Sequence, residues 1–307
     1  MLDAITFVND KINGFVWVTI GLWLLIGTGI IMSFVTGFFQ VTHIGHWMKK
    51  TVGGVFNKSS HNKKEKGSVS QFQALCTALA ATIGTGNIAG VAAAIVIGGP
   101  GAVFWMWVAA FFGMMTNYSE NILGIFFRRK NKDGEWSGGA MYYLQDGLGD
   151  KSRPRALQII GKILAIIFAV CAFLASFGIG NMGQINKIVI NFDSAFFSKI
   201  EVAPLFGVIP AIPFILGLTI MAVGALIIIG GLKRIAAVAE KVVPFMAVLY
   251  VVGALIIICV HFNSILPAFL SIFKFAFGAK AIAGGTIGAM FKSAITQGCK
   301  RGVFSNE

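Results

Sequence analysis

The sequence predicts an all-α membrane protein, and three observations carry that prediction. First, 56% of the 307 residues are of the apolar set AVILMFWYC, only 12% are charged, and the mean hydropathy is +0.81. A soluble domain carries roughly 25% charged residues. Second, the chain contains six apolar stretches long enough to cross about 30 Å of hydrocarbon. Third, the basic residues gather in alternate loops between those stretches, the distribution that fixes orientation in a bilayer. These features exclude a disordered chain, a disulfide scaffold and a soluble catalytic domain. The net charge of +13 does not indicate nucleic acid, because the cations lie in loops between apolar runs rather than beside aromatic platforms. Cys76, Cys171, Cys259 and Cys299 form no CxxC pair and have no histidines at metal spacing, so they read as small apolar packers.

The spans follow in order. Phe15 to Phe38 is too long for a signal-peptide core, follows the acidic Asp3 and Asp10, and precedes no small-residue cleavage site, so it is expected to stay as a helix. The loop from Val41 to Ser70 holds Lys49, Lys50, Lys58, Lys63, Lys64 and Lys66 against Glu65 alone, which places it on the cytoplasmic side. Phe72 to Ile97 and Ala102 to Phe127 are the second and third spans, joined by the tight Gly98-Gly99-Pro100-Gly101 turn. The basic loop Arg128 to Arg155 leads into the fourth span, Leu157 to Ile188. After the nearly charge-balanced stretch Asn191 to Pro210 comes the fifth, Ile212 to Gly230. A third basic loop with Lys233, Arg234 and Lys241 precedes the sixth, Val243 to Val260. Three basic loops on one side predict an N-terminus outside. His261 to Glu307 carries too many charges for a lipid-facing span. It is expected to be amphipathic or loop-plus-helix, with a further span starting near the end of the chain. Residues 1 to 307 form one transmembrane domain in this scheme, and the abrupt end at Glu307 suggests an incomplete chain.

The second span would measure roughly 40 Å as one continuous helix, more than the bilayer core. Its middle reads Thr82-Ile83-Gly84-Thr85-Gly86-Asn87-Ile88-Ala89-Gly90. Three glycines among polar side chains weaken the helix, and exposed backbone at that depth is tolerated only in a cavity or inside protein. A half-helix starting there would turn its positive end towards an anion, and freed carbonyls could hold a cation. The alternative is that Gly86-xxx-Gly90 is only a packing face. In the fourth span Phe177, Asn181 and Gln184 are spaced i, i+4 and i+7 and would share a helical face. Their amides either join helices or bind a polar ligand. Glu120, inside the third span, is read as a latch to a cytoplasmic Lys or Arg, with a proton relay as the alternative. Asn117-Tyr118-Ser119 lies within a span and is no glycosylation site.

At these motifs the sequence closely resembles the sodium:alanine (or glycine) symporter family of bacteria and archaea. The resemblance rests on Ala78 to Val91, Gly98-Gly99-Pro100-Gly101-Ala102, Phe104-Trp105-Met106-Trp107, Gly138-Gly139-Ala140-Met141-Tyr142-Tyr143, Phe177-Gly178-Ile179-Gly180-Asn181-Met182 and Lys300 to Glu307. It implies a LeuT-like helical bundle. In that arrangement two inverted five-helix repeats surround a midplane site, and the first helix of each is unwound. Phe15 to Phe38 would be a peripheral helix before the first repeat, Phe72 to Ile97 its unwound helix, and most of the second repeat would be missing.

The resemblance further implies a secondary transporter, not an enzyme, in the bacterial or archaeal inner membrane. It would couple a small neutral amino acid, alanine or glycine, to Na⁺ as coupling ion, with no organic cofactor; its partners would be that substrate and the lipid bilayer, and not nucleic acid. The substrate would meet Thr85, Gly86 and Asn87, with polar contacts from Asn181 and Gln184 and an apolar wall from Phe177. Ser305 and Asn306 would form the facing half, and backbone carbonyls near Ala81 and Gly84 would ligate the cation. The competing expectations are a cation-coupled carrier of another small solute and a non-transporting membrane fragment.

Overall fold

The computed structural model describes residues 6–9, 11–12, 15, 20–55, 69–84, 86–132, 134, 136–178, 182–198, 200, 204 and 210–277. They are mostly helical. The helices are α1 (Leu22–Val35), α2 (Phe39–Thr42), α3 (Ile44–Val55), α4 (Gln71–Thr82), α5 (Val91–Gly98), α6 (Gly101–Phe126), α7 (Ala140–Tyr143), α8 (Arg155–Phe177), α9 (Gly183–Phe192), α10 (Ala211–Ile228), α11 (Gly231–Val260) and α12 (Ile265–Ala276). Wider π turns precede α5 (Gly86–Gly90) and follow α7 (Leu144–Leu148) and α9 (Asp193–Phe197). A short antiparallel hairpin pairs β1 (Arg129–Lys130) with β2 (Trp136–Ser137), in the register Arg129 to Ser137 and Lys130 to Trp136. By length and composition α8, α10 and α11 can each cross a membrane, and α6 is of comparable length with 26 residues.

The buried apolar side chains are mostly alanines, among them Ala94, Ala102, Ala109, Ala165, Ala236 and Ala276, while the large aliphatic residues face outward. This inversion of a soluble core suits helices that meet through small residues and give their bulk to lipid. It also limits the expectation for the cysteines: Cys76 is buried, but Cys171 and Cys259 are exposed on their helices.

The chain divides into two units. The first comprises Met1–Ser60, Ala78–Ile122 and Val243–Glu307. Here α12 reaches the start of α6, where a Cβ on Gly101 would stand 2.6 Å from the carbonyl carbon and oxygen of Phe275. Only glycine permits that approach. Phe104 then sets its ring edge-on to Phe273 and Phe277, with centroids 5.7 and 4.6 Å away. The second unit comprises His61–Thr77 and Leu123–Val242. In it Arg129 hydrogen bonds to Asp146 in the π turn after α7, and Arg128 stacks 4.1 Å above the Trp136 ring. The Asp146 bond and charge raise the Arg129 guanidinium further above its ordinary value.

Several sequence expectations change here. The sixth span is not an 18-residue helix after a basic loop: α11 is one helix of 30 residues that includes Lys233, Arg234 and Lys241. At 1.5 Å per residue it measures about 45 Å, so its basic first turns extend beyond a bilayer core of about 30 Å. The turn into it is made by Gly231 at φ +69°. The stretch Val41 to Ser70 is not all loop, because α2 and α3 occupy much of it, and the loop after α6 contains the β-hairpin. The fourth span is described as two helices, α8 and α9, rather than one. The expected helix after Val260 is present as α12, while a further span near the C-terminus lies outside the described residues.

Candidate functional site

The second apolar stretch begins with a well-made helix start. The Ser70 hydroxyl accepts the Gln73 N–H at 3.1 Å, and the Gln73 side-chain oxygen accepts the Ser70 N–H at 3.2 Å, the reciprocal capping box of an S-x-x-Q sequence. The Gln73 amide then donates from Nε2 to Glu240 of α11 at 2.8 Å, tying the base of α4 to that helix within the second unit. This anchor escaped the sequence reading because Glu240 was assigned to a loop. The S-x-x-Q signal was available, but nothing in the sequence paired it with a residue 167 positions away.

The helix fails where the glycines predicted. The α4 ladder closes with the Ile83 N–H on the Leu79 carbonyl at 2.7 Å, the chain bends at Ile83 and Gly84, and regular α geometry resumes at Val91 after the Gly86–Gly90 π turn. Single π turns occur often where a helix serves a functional site. Across the break the Asn87 N–H donates to the Gly84 carbonyl at 3.1 Å, and the Asn87 side chain donates from Nδ2 to the Thr82 carbonyl at 3.1 Å. The side-chain amide thus caps a carbonyl next to the interruption.

The remaining atom of that amide decides the chemistry. A carbonyl only accepts, so the bond to Thr82 fixes Nδ2 towards it and Oδ1 away. Asn87 Oδ1 is buried and has no hydrogen-bond partner among the described residues. Leaving a buried acceptor unpaired costs about 1–3 kcal/mol, and such a group in a native fold calls for an explanation. Beside it Gly86 is half-buried, and a Cβ built there would meet no described atom within 4 Å. A broken helix with a buried, unpartnered oxygen and open space beside its backbone can hold a small donor or a cation.

The other expected residues distribute as follows. Gly84, Gly86 and Asn87 come together with Thr82 in the first unit, and the Gly84 carbonyl, already accepting from Asn87, retains a second lone pair. Ala81 lies in the last turn of α4. Phe177 ends α8, exposed and edge-on to Phe173 at 5.2 Å, and Gln184 is half-buried in the first turn of α9. Phe177 and Gln184 belong to different described helices, α8 and α9, and the Asn181 of the expected shared face lies between them outside the described residues. Thr85, Asn181, Ser305 and Asn306 lie outside the described residues. Glu120 is exposed and makes no ion pair among the described residues, so the expected latch is not seen. No group of three or more His, Cys, Asp or Glu side chains among the described residues is arranged to hold a metal.

A family model described as the sodium:alanine symporter family matches residues 2–307. The chain belongs to that family. Among its relatives, the sodium/alanine symporter AgcS of Methanococcus maripaludis is 45% identical over 306 residues, covering 100% of this chain and 61% of the relative. The putative sodium/proton-dependent alanine carrier protein YrbD of Bacillus subtilis is 38% identical, covering 97% of this chain and 54% of the relative. The probable sodium/glutamine symporter GlnT of the same organism is 35% identical over 96% of this chain and 54% of its own length. The chain therefore spans somewhat more than half the length of these curated relatives.

Proposed function

We propose that the protein carrying this chain is a secondary transporter of the bacterial or archaeal inner membrane, coupling uptake of a small neutral amino acid, alanine or glycine, to Na⁺. The observation that carries this reading is the buried, unpartnered Oδ1 of Asn87 at the helix break. An acceptor at that point suits a cation, either Na⁺ or the ammonium group of an amino acid. The role foreseen for Asn87 is thereby refined, since its donor group is already engaged with Thr82. The substrate carboxylate then falls to the backbone N–H groups at the start of the second half-helix, around Thr85 and Gly86, where the helix dipole is positive. Carbonyls of Ala81 and Gly84 complete the cation environment. In this scheme the fold is LeuT-like, with α1 peripheral and the α4–α5 stretch as the unwound first helix of the repeat. The basic loops face the cytoplasm. Gln184, Asn181, Phe177, Ser305 and Asn306 line the rest of the path.

The test is radiolabelled uptake into proteoliposomes by this chain and by a version extended to the length of its relatives. Inward Na⁺, H⁺ and K⁺ gradients are compared, with alanine, glycine and glutamine as substrates. Alanine or glycine uptake driven by Na⁺ and lost on Asn87→Leu is the expected result. Uptake driven equally by K⁺, or confined to glutamine, overturns the coupling or the substrate assignment respectively.

A further inference from the structure

The sharp turn after α1 leads into a helix whose outer face no part of the described protein covers. Gly37 and Phe38 both take positive φ, 63° and 53°, and redirect the chain directly at the end of the apolar α1. The turn is held by a buried pair, the Gln40 side-chain amide donating to the Ser33 hydroxyl at 3.0 Å, while Trp47 of α3 donates from Nε1 to the Gln40 carbonyl at 3.1 Å. Trp47 is thus half-buried against the turn, and α3 is fixed close to the end of the apolar α1.

Around α3 the side chains separate by character. Ile44, Met48 and Val52 recur at spacings of four, one stripe of a 3.6-residue helix, and are 55%, 42% and 48% exposed, with Val41 of the preceding α2 53% exposed. Lys49 flanks the stripe, and Lys50 and His46 lie further round, all exposed. No aspartate or glutamate occurs in the sequence between Asp10 and Glu65, so the neighbouring sequence supplies no acid to neutralise these lysines. An exposed apolar stripe with a basic flank, following directly on the apolar helix α1, has the make-up of a helix lying in a membrane interface.

We propose that α3 docks in the plane of an anionic phospholipid leaflet, with the Ile44–Met48–Val52 stripe in the acyl boundary and Lys49 and Lys50 at the level of the headgroup phosphates. Each lysine near an anionic surface favours the docked state by about five-fold, so the pair contributes about twenty-five-fold.

The test places a spin label at Met48→Cys, in protein whose native cysteines are replaced, and measures its depth in nanodiscs of phosphatidylcholine with and without phosphatidylglycerol. The label is expected to sink to the acyl boundary in the anionic discs and to lose that dependence in Lys49→Gln/Lys50→Gln. Because replacing the buried Cys76 could disturb folding, hydrogen exchange of residues 44–55 is measured in parallel on protein with its own cysteines. Slowing by phosphatidylglycerol that disappears in the double variant and at about 1 M salt supports the proposal. Equal depth and equal exchange in both lipids overturn it. So does shielding of the stripe that persists in detergent and grows with protein concentration, which would make a second copy the occupant.

Discussion

Replacing Asn87 by alanine has opposite effects with and without Na⁺. The substitution removes the Nδ2 bond to the Thr82 carbonyl, worth about 1 kcal/mol net, and the unpartnered Oδ1, whose burial costs about 1–3 kcal/mol. In K⁺ the two nearly offset, leaving the variant between unchanged and about 2 kcal/mol more stable. With Oδ1 a Na⁺ ligand, as proposed, the parent protein gains RT ln(1 + [Na⁺]/Kd) in Na⁺, about 2.7 kcal/mol at a hundred times Kd, which the variant forgoes. At roughly 2 °C per kcal/mol, Na⁺ raises the apparent melting temperature of the parent by about 5 °C and that of Asn87→Ala by much less, so the order of stability reverses between the salts. The assay is thermal unfolding in detergent, followed by tryptophan fluorescence, in NaCl and KCl of equal ionic strength. A variant destabilised by 2 kcal/mol or more equally in both salts would mean that Oδ1 is a structural group. An undiminished Na⁺ shift would place the cation elsewhere.

Other outcomes follow from the packing and from the loops. Gly101→Ala puts a Cβ against the Phe275 backbone and is expected to cost about 1–3 kcal/mol, as overpacking does. Gly253→Ala, in α11 with nothing within 4 Å, gains up to about 1 kcal/mol from helix propensity. Apparent melting temperatures of the two variants decide this, and equal values would remove the close approach of α12 to α6. Glu240→Leu strands the Gln73 amide and lowers stability by about 1–3 kcal/mol, whereas Glu240→Gln, which keeps an acceptor, loses less in the same measurement. Asp150 lies below the ordinary carboxylate value because the Ser152 backbone N–H and hydroxyl stabilise its charged form. A depressed pKa contributes stability that is present above the unfolded value and is lost as the pH falls through the folded one. Ser152→Ala is expected to move the Asp150 titration upward in carboxyl NMR, and an unmoved titration would remove the hydroxyl from the account.

Much of the helical architecture was legible because its signals are local. Pro100 and Gly101 mark the start of α6, Pro210 precedes α10, and Ser70 with Gln73 opens α4. Three glycines within seven residues announced the interruption after Thr82. The failures occurred where charge was taken as evidence against a helix. Lys233, Arg234 and Lys241 sit in the first turns of α11, since a helix longer than the bilayer is thick can carry its basic residues at headgroup level. The same habit hid α3, whose period at Ile44, Met48 and Val52 was readable but lay beside two lysines.

The helix break was legible in place, but the polarity of the Asn87 amide was not. An asparagine at a glycine-rich break points to a polar ligand of either sign, because its amide offers both a donor and an acceptor. The choice depends on which atom the backbone consumes, and that depends on how the chain bends between Ile83 and Gly86. Once the bend brings the Thr82 carbonyl to Nδ2, the amide ceases to be ambivalent, and only its oxygen remains to meet a ligand. The period argument for Phe177, Asn181 and Gln184 assumes an unbroken ladder of constant pitch between α8, which ends at Phe177, and α9, which begins at Gly183, and Asn181 lies outside the described residues. At each glycine-rich interruption residue identity narrows the chemistry to a few options, and the local path of the backbone selects among them.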